Sequence, residues 1–319
     1  NAPIGHVAGS GSRAYAFCAE AKTMDNLMDE RAALRQLAAT LPYAGDDAAV
    51  VDGTAITTDM LHETTDFPAG TTRYTAGWRS VAASLSDLAA VGASPTAAVA
   101  AYADTALEGE ALSEFIDGAQ AVCAAGDAEY VGGDLDTHSE FTIATTAIGA
   151  VDESVDRAGA TPGNRVVVTG RFGRSAAALR YFEQEAFDTA NDLFQFTPRV
   201  DAGRVLADSA TAMMDSSDGL ARSLHQLAEA SDCGFTIDRT AVPVADALSE
   251  VADDREDRWE AAVHFGEDFE LVATVPAARL DDMRAASPTP LTEIGRVVAD
   301  DEGVSADGEP LADRGYTHA

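Results

Sequence analysis

Residues 45–59 are GDDAAVVDGTAITTD, in which an Asp-Gly pair separates two apolar runs. Asp-Gly in that position is a strong signal for a β-hairpin with a two-residue turn. With Asp52 and Gly53 as the turn, three facing pairs are predicted: Val51 with Thr54, Asp47 with Thr58, and Asp46 with Asp59. Facing Cβ atoms lie about 5 Å apart, and like charges at that distance destabilise a sheet. In this register, the acidic open end of the hairpin predicts a bound cation.

The same kind of carboxylate, placed beside Gly, Ser or Thr at the end of an apolar run, recurs in four more places. These motifs are Ser86-Asp87-Leu88, Gly132-Gly133-Asp134, Asp215-Ser216-Ser217-Asp218-Gly219 and Gly266-Glu267-Asp268. Chains turn at such places, and carboxylates held at turns suit hard cations, which prefer oxygen ligands. Divalent cations in turn bridge phosphate oxygens and neutralise the charge that develops during phosphoryl transfer. The set therefore predicts a Mg²⁺-dependent enzyme that uses a nucleotide.

Each motif also has a plainer interpretation. The hairpin end and Asp87 are compatible with an acidic surface coat, and Gly133 with an ordinary turn. Ser217 or Asp218 is equally compatible with a helix N-cap. A salt-adapted, cation-binding protein without catalytic activity is therefore the alternative from another class, and it predicts divalent binding without nucleotide binding.

The net charge of the chain limits the classes of partner that it can bind. The 319 residues carry 54 acidic and 21 basic side chains, for a formal net charge of −33, and Lys22 is the only lysine. Such a charge repels nucleic acid and acidic membranes, and no apolar run is long enough for a transmembrane helix. Since the Debye length falls from ~10 Å at 0.1 M salt to ~3 Å at 1 M, we interpret the acidity as adaptation to molar salt. An ordinary acidic protein is the alternative.

The reactive side chains exclude several classes of site. Cys18, Cys123 and Cys233 are widely spaced and form no disulfide pattern, which predicts reduced thiols and a cytoplasmic protein. The histidines lack zinc-binding spacing. The chain has no P-loop and no protein-kinase catalytic loop, and with so little lysine a phosphate site must rely on arginine or metal.

The pattern along the chain predicts three segments: a flexible N-terminal extension at 1–27, an N-terminal domain at 28–151 and a C-terminal α/β domain at 152–319. Apolar periodicity predicts helices at 28–41, 73–91, 109–125, 174–186 and 199–209, with another after Asp218. It predicts strands at 97–103, 129–133, 141–151, 166–169, 211–214 and 268–275, and a loop at 187–198. Strands alternate with helices in both halves, which predicts a two-domain α/β (α+β) fold.

Taken together and in order, the motifs resemble those of the thiamine-monophosphate kinases, in the superfamily of aminoimidazole ribonucleotide synthetase. The resemblance spans about residues 28–318. It rests on GDDAAV (45–50), TTDM (57–60), SLSDLAAVGASP (84–95), GGD (132–134), RAGATPGN (157–164), VTGRFGRSAAAL (168–179), SSDGL (216–220), ASDCG (230–234) and GEDFEL (266–271). The acidic, lysine-poor composition resembles that of a member from a halophilic archaeon.

The resemblance implies ATP-dependent phosphorylation of thiamine monophosphate to thiamine diphosphate. It implies direct transfer, without a phospho-enzyme, between substrates held by several Mg²⁺ ions. It also implies an N-terminal metal-binding and ATP-binding domain whose sheet meets its copy in a homodimer, and an active site near the junction with the C-terminal domain.

The resemblance further implies a role for individual residues. The implied metal ligands are Asp47, Thr57, Thr58, Asp59, Asp87, Asp134, Asp215 and Asp218. The implied ATP contacts are Gly133, Asp134, Arg157 and Ser217. The implied contacts to the thiamine part are Glu267 and Tyr316, and bacterial members have a substrate-binding His at the position of Asp66. An acidic Asp66 would face the cationic thiazolium but repel the substrate phosphate, and His62 is a possible substitute.

Other members of the superfamily are the competing enzymatic interpretation. Selenophosphate synthetase is disfavoured, because no N-terminal Cys lies near a Gly-rich loop with Lys. The hydrogenase maturation factor is disfavoured, because the sequence ends Tyr-Thr-His-Ala without a terminal Cys. Aminoimidazole ribonucleotide synthetase is harder to exclude by motif, although SDLAAVGASP and SSDGL fit the thiamine enzyme better.

Overall fold

The computed structural model describes residues 30–315. The predicted extension at 1–27 and the site residue Tyr316 lie outside the described residues. Within them, the strands form two separate sheets, the first ending at Ala150 and the second beginning at Arg165. Helices pack on both, so the predicted mixed α/β architecture is confirmed.

The N-terminal half is a five-stranded sheet with helices on one face. Its strands, β1 to β5, are Ala49–Val51, Thr54–His62, Ser94–Asp104, Glu129–Thr137 and Thr142–Ala150, in the order β1-β2-β5-β3-β4. Its helices, α1 to α4, are Glu30–Thr40, Glu63–Asp66, Arg73–Ala90 and Gly109–Ala125.

The C-terminal half is a seven-stranded sheet in the order β12-β11-β8-β10-β6-β9-β7. Its strands, β6 to β12, are Arg165–Thr169, Ala212–Asp215, Gly234–Ile237, Leu271–Val275, Leu291–Val298, Val304–Ala306 and Glu309–Pro310. Its helices, α5 to α11, are Arg174–Glu183, Phe187–Phe194, Val200–Ala207, Leu220–Ser231, Asp246–Val251, Arg255–His264 and Leu280–Ala286. A short 3-10 turn covers Asp300–Glu302.

Helix α3 is the central element of the molecule. Its first turn is capped by Thr72, whose side chain accepts a hydrogen bond from the Thr75 N–H, and most of its residues are buried. Helix α4 packs so closely on it that a Cβ added to Gly77 would lie 2.1 Å from the Phe115 carbonyl oxygen. Helix α7 of the C-terminal half approaches equally closely, since a Cβ on Gly203 would lie 2.2 Å from the Ala89 oxygen. Both halves of the chain are therefore built against α3.

The hairpin at 45–59 is only partly as predicted. The turn and the Val51–Thr54 pair are confirmed, but the ladder ends at the pair Ala49–Ile56. The predicted pairing of Asp47 with Thr58 and of Asp46 with Asp59 is therefore wrong. The chain bends away before Ala49, and the backbone N–H and side chain of Arg157 bond the two Asp side chains instead.

Two further predictions are wrong for tertiary reasons. The segment 187–198 is not a loop throughout, because α6 occupies its first two thirds. Asn191 of α6 is buried, and its amide donates to the Gly70 carbonyl oxygen, which ties the helix to the N-terminal half. The second wrong prediction is the end of β4 at Gly133. The strand continues to Thr137, and a Cβ on Gly133 would lie 1.8 Å from the Ala100 oxygen, so this glycine lets two strands approach.

The outer face of the N-terminal sheet, the face without helices, is apolar and exposed. Its large side chains are Ile56, Met60, Val99, Val131 and Ile148, of which Met60 is 60% exposed. No helix among residues 30–315 is both long enough and apolar enough to cross a membrane.

Candidate functional site

Three carboxylates from distant parts of the chain meet where the two halves join. Asp47 precedes β1, Asp87 lies in the last turn of α3, and Asp215 is the last residue of β7. One oxygen from each lies within 4.8 Å of the others. The side chain of Asp47 is only 2% exposed, and Asp215 is 1% exposed. These carboxylates are therefore not part of the acidic surface coat.

Hydroxyl groups orient this cluster. Thr57 donates to Asp87 at 2.5 Å, and Ser86 donates to Asp215 at 2.7 Å. Ser84 donates to the neighbouring Asp59 at 2.5 Å. Ser84 and Ser86 lie on α3 close to Asp87. Ser86 was named only as the residue before Asp87, and no role was predicted for either hydroxyl, although the two hold Asp59 and Asp215 in place.

The cluster carries more negative charge than its surroundings neutralise. Burial, followed by the charges of Asp59, Asp215 and Asp47, raises the pKa of Asp87 well above its usual range. Burial and the charge of Asp47 raise the pKa of Asp215 to about 8. Burial also raises the pKa of Asp59. These shifts are those of carboxylates that repel one another in a place that is largely removed from water.

Arg157 is the cation that contacts the cluster in the described part of the chain. Its guanidinium bonds Asp47, with 2.5 Å between Nη2 and Oδ1, and its backbone N–H donates to Asp46 at 2.9 Å. Burial and the charge of Asp47 nevertheless raise the pKa of Asp46 to about 6. One guanidinium is too little for five carboxylates. The donor set consists of oxygens alone, and that is the set that Mg²⁺ prefers.

The Asp215–Gly219 and Gly266–Glu270 motifs form one paired loop beside the cluster. The Glu267 N–H donates to the Ser217 oxygen at 2.5 Å, and the Phe269 N–H donates to the Ser216 oxygen at 3.1 Å. Helix α8 begins after Gly219 and has no side-chain cap, so the N-cap interpretation of Ser217 or Asp218 is wrong. The pairing brings the predicted nucleotide residue Ser217 next to the predicted substrate residue Glu267.

Glu267 and its neighbours are held by groups that were not predicted. Arg79 of α3, only 1% exposed, bonds the Glu267 carboxylate at 2.5 Å and its carbonyl oxygen at 3.2 Å. Asp268 accepts from the N–H groups of Gly173 and Ser175 at 2.5 and 3.0 Å. A Cβ on Gly315, the last described residue, would lie 2.3 Å from the Asp218 oxygen, so the tail passes beside this loop.

The remaining predicted residues lie apart from the cluster. Thr58 alternates with Thr57 along β2, so its hydroxyl lies on the outer face, where it donates to the Thr145 oxygen. Gly133 and Asp134 lie on β4, three strands away from β2, and Asp134 is exposed. Adjacent strands are about 4.8 Å apart, so this separation is on the order of 14 Å. The structure therefore divides the predicted ligands between the two faces of one sheet.

Asp66 is buried, and its carboxylate is already hydrogen-bonded within the protein. Its carboxylate accepts from the His62 N–H at 2.7 Å and from the Thr65 hydroxyl at 2.7 Å. The ring of His62 in turn contacts the Thr142 hydroxyl at 3.0 Å. In this conformation both predicted substrate contacts are engaged in fixing the turn after β2.

Comparison with known proteins covers nearly the whole chain. The family model described as AIR synthase related protein, N-terminal domain, matches residues 45–151, and its C-terminal counterpart matches residues 161–307. The thiamine-monophosphate kinase of Halobacterium salinarum is 62% identical over 291 residues, which are 91% of this chain and 100% of that protein. The thiamine-monophosphate kinase of Methanospirillum hungatei is 41% identical over 288 residues, 86% of this chain and 92% of that protein.

A solved structure agrees. The complex described as AaThiL with AMPPCP and TMP superposes with a TM-score of 0.84 at 28% sequence identity, covering 94% of this chain and 100% of that one. The family models, the relatives by sequence and the solved structure therefore match this chain to one and the same family.

Proposed function

Because the chain belongs to the thiamine-monophosphate kinases of the AIR synthase-related family, we propose that its buried carboxylate cluster holds the divalent cations for phosphoryl transfer. The activity is ATP-dependent phosphorylation of thiamine monophosphate to thiamine diphosphate. The halophilic origin inferred from the net charge agrees with the relative in Halobacterium salinarum.

The observation that carries the metal assignment is the charge deficit at the junction of the two halves. Asp47, Asp87 and Asp215 converge within 4.8 Å, and one arginine, Arg157, bonds Asp47. Buried charges persist only when they are paired or bound to metal. Bound Mg²⁺ would bridge phosphate oxygens and neutralise the charge that develops on them.

The residues around the cluster have distinct tasks in this proposal. The hydroxyls of Thr57, Ser84 and Ser86 fix the carboxylate orientations before ligands arrive, so that little reorganisation is needed during the reaction. Arg157, which lies against Asp47, is placed to contact ATP phosphates. Catalysis on this view is positioning and charge neutralisation, without a covalent intermediate on a side chain.

The two substrates occupy different sides of the cluster in this proposal. Ser217 contacts the nucleotide, together with Asp218 as a further metal ligand. Glu267, next to Ser217 on the paired loop, contacts the thiamine part. Tyr316 follows directly on Gly315, the residue that passes beside Asp218.

We infer a homodimer from the outer face of the N-terminal sheet. Exposed apolar side chains cover that face, and patches of this kind mark protein interfaces. Gly133 and Asp134 lie on β4 of this sheet, so dimerisation would cover the part of the predicted ATP site that one chain leaves exposed. The buried thiols of Cys123 and Cys233 and the acidic surface support a cytoplasmic enzyme without nucleic-acid or membrane partners.

Product analysis in molar KCl with Mg-ATP and thiamine monophosphate tests the proposal. Wild type should form equimolar thiamine diphosphate and ADP, and Asp59→Asn should lose this activity while keeping its fold. Asp282→Asn is the matched control, because Asp282 is an exposed carboxylate on α11. Equal effects of the two substitutions would refute the site. ADP formation with a purine precursor alone would move the substrate to that of aminoimidazole ribonucleotide synthetase.

A further inference from the structure

Arg79 lies at the junction of the two halves and has an unusual set of partners. It belongs to α3, yet its Nη1 donates to the Phe194 carbonyl oxygen at 2.8 Å, and its Nη2 bonds the Glu267 carboxylate at 2.5 Å. The guanidinium carbon lies 3.7 Å from the centre of the Phe194 ring. With 1% of the side chain exposed, this cation is removed from water and depends on these contacts.

Glu267 is the more accessible member of the pair. Its side chain is 21% exposed, and its backbone has the left-handed φ of +61°, which is uncommon for a residue with a side chain. Its N–H is held by Ser217 and its carbonyl oxygen by Ser175 and Arg79. One carboxylate oxygen, Oε2, is bonded to Arg79, so Arg79 fixes both the backbone and the carboxylate of this residue.

Helix α3 connects this ion pair to the metal-binding cluster. Arg79 and Asp87 are eight residues apart on one helix, which is about 12 Å along its axis. The close packing of α3 on α4 and α7 leaves little freedom to change that distance. The position of the Glu267 carboxylate relative to Asp87 is therefore set by one rigid element that reaches into the other half of the molecule.

We propose that Arg79 is a positioning residue for thiamine monophosphate: it holds the Glu267 carboxylate in the orientation that binds the thiamine part. This inference rests on the proposed role of Glu267. Arg79 itself is buried behind the carboxylate and touches neither substrate. Its contribution is to affinity for one substrate and not to the transfer step.

A double-mutant cycle with Arg79→Gln and Glu267→Gln tests this, with KM for each substrate and melting temperature as readouts. Each single variant should raise KM for thiamine monophosphate about tenfold, as expected for one lost charge-assisted hydrogen bond. The double variant should be no worse than either single one, because both remove the same interaction. KM for ATP should stay unchanged, and Arg79→Lys, which keeps the charge, should recover part of the affinity.

Arg180→Gln is the control for a purely structural role. The Arg180 side chain is largely buried, at 13% exposed, and makes two hydrogen bonds, of 2.7 and 2.8 Å, to Asp257 away from Glu267. The Arg180→Gln substitution should lower the melting temperature without changing KM for thiamine monophosphate.

Three outcomes would overturn the inference. The first is additive effects of Arg79→Gln and Glu267→Gln with both KM values raised together, which would mean that Arg79 only joins the halves. The second is a raised KM in Glu267→Gln alone, with Arg79→Gln and Arg79→Lys unchanged. The third is no change in any variant of a wild type that phosphorylates thiamine monophosphate. A wild type that does not use this substrate at all would instead refute the proposed function.

Discussion

The molecule contains two groups of buried carboxylates that differ in how they are neutralised. In the Glu267–Glu270 loop, Arg79 pairs with Glu267, Arg199 pairs with Glu270 at 2.5 Å, and two backbone N–H groups bond Asp268. The Asp47–Asp87–Asp215 cluster comprises five carboxylates when Asp46 and Asp59 are included. Three hydroxyls and the single guanidinium of Arg157 face them, and two backbone N–H groups, those of Asp47 and Arg157, both bond Asp46.

The difference is the basis on which we propose a metal site at one group and not at the other. Burial raises the pKa of Asp268 to about 7 and that of Asp215 to about 8, so a raised pKa does not separate the two groups. The supply of N–H donors and cations does separate them. A carboxylate that the protein satisfies by itself is structural, and carboxylates that it leaves in deficit require an external cation.

The largest effect is expected for a substitution in the Asp47–Asp87–Asp215 cluster, whose carboxylates are incompletely neutralised. Asp87→Asn should lower kcat/KM by about 10³-fold or more, because a lost metal ligand removes several kcal/mol of transition-state stabilisation. The same change should raise the melting temperature of the Mg²⁺-free protein, since it removes a carboxyl that the folded state must either keep protonated or hold next to the charges of Asp59, Asp215 and Asp47. Steady-state assays and thermal melts in EDTA and molar KCl measure both. A variant that is less stable than wild type without Mg²⁺ would contradict the charge deficit.

The stability of the Mg²⁺-free protein should depend on pH because of the raised pKa values in the Asp47–Asp87–Asp215 cluster. The pKa of Asp215 rises from 3.8 to about 8 on folding, and those of Asp59 and Asp87 also rise. Between pH 4 and pH 8 the folded state therefore keeps protons that the unfolded state has released. Stability without Mg²⁺ should fall as pH increases across this window, by several kcal/mol in total.

Saturating Mg²⁺ should remove most of this dependence, because the ion binds the ionised carboxylates. Denaturant unfolding at a series of pH values, with EDTA or with Mg²⁺, makes the measurement. Parallel curves under the two conditions would mean that the cluster does not bind the ion.

The smallest effect is expected for a substitution in the Glu267–Glu270 loop, whose carboxylates are paired within the protein. Asp268→Ala should destabilise the fold by about 2–4 kcal/mol, because it leaves the buried N–H groups of Gly173 and Ser175 without acceptors. The loss should be the same with and without Mg²⁺, unlike that for Asp87. Guanidinium unfolding under both conditions tests this, and a loss that depended on Mg²⁺ would place Asp268 in the metal site.

Features fixed by neighbouring residues could be predicted from the sequence, and features fixed by contacts between distant residues could not. The Asp52-Gly53 turn was predicted because two adjacent residues specify it, and α3 because its apolar stripe is long. The position of Asp47 was not, because Arg157, 110 residues away, draws it out of the ladder. Helix α6 was missed because its burial depends on Gly70, which lies 121 residues from Asn191.

The site shows the same limit. The motifs identified Asp87 and Asp215, since each is a carboxylate beside Ser at the end of an apolar run. They did not identify Arg79, because nothing local distinguishes a buried arginine in an amphipathic helix from an exposed one. Its partner Glu267 is 188 residues away. The division of Thr57 and Thr58 between two faces follows from strand alternation once β2 is known.

The crossings at Gly77 and Gly203 have a consequence for how this family can diverge. Backbone rests on backbone there, so no side chain exists whose gradual enlargement or trimming could adjust the spacing of α3 from its neighbours. The geometry of the Asp47–Asp87–Asp215 cluster is thereby insulated from drift elsewhere in the chain. A lineage can replace nearly all its lysines and accumulate a net charge of −33 on the same frame, because adaptation to salt and preservation of the chemistry act on different atoms.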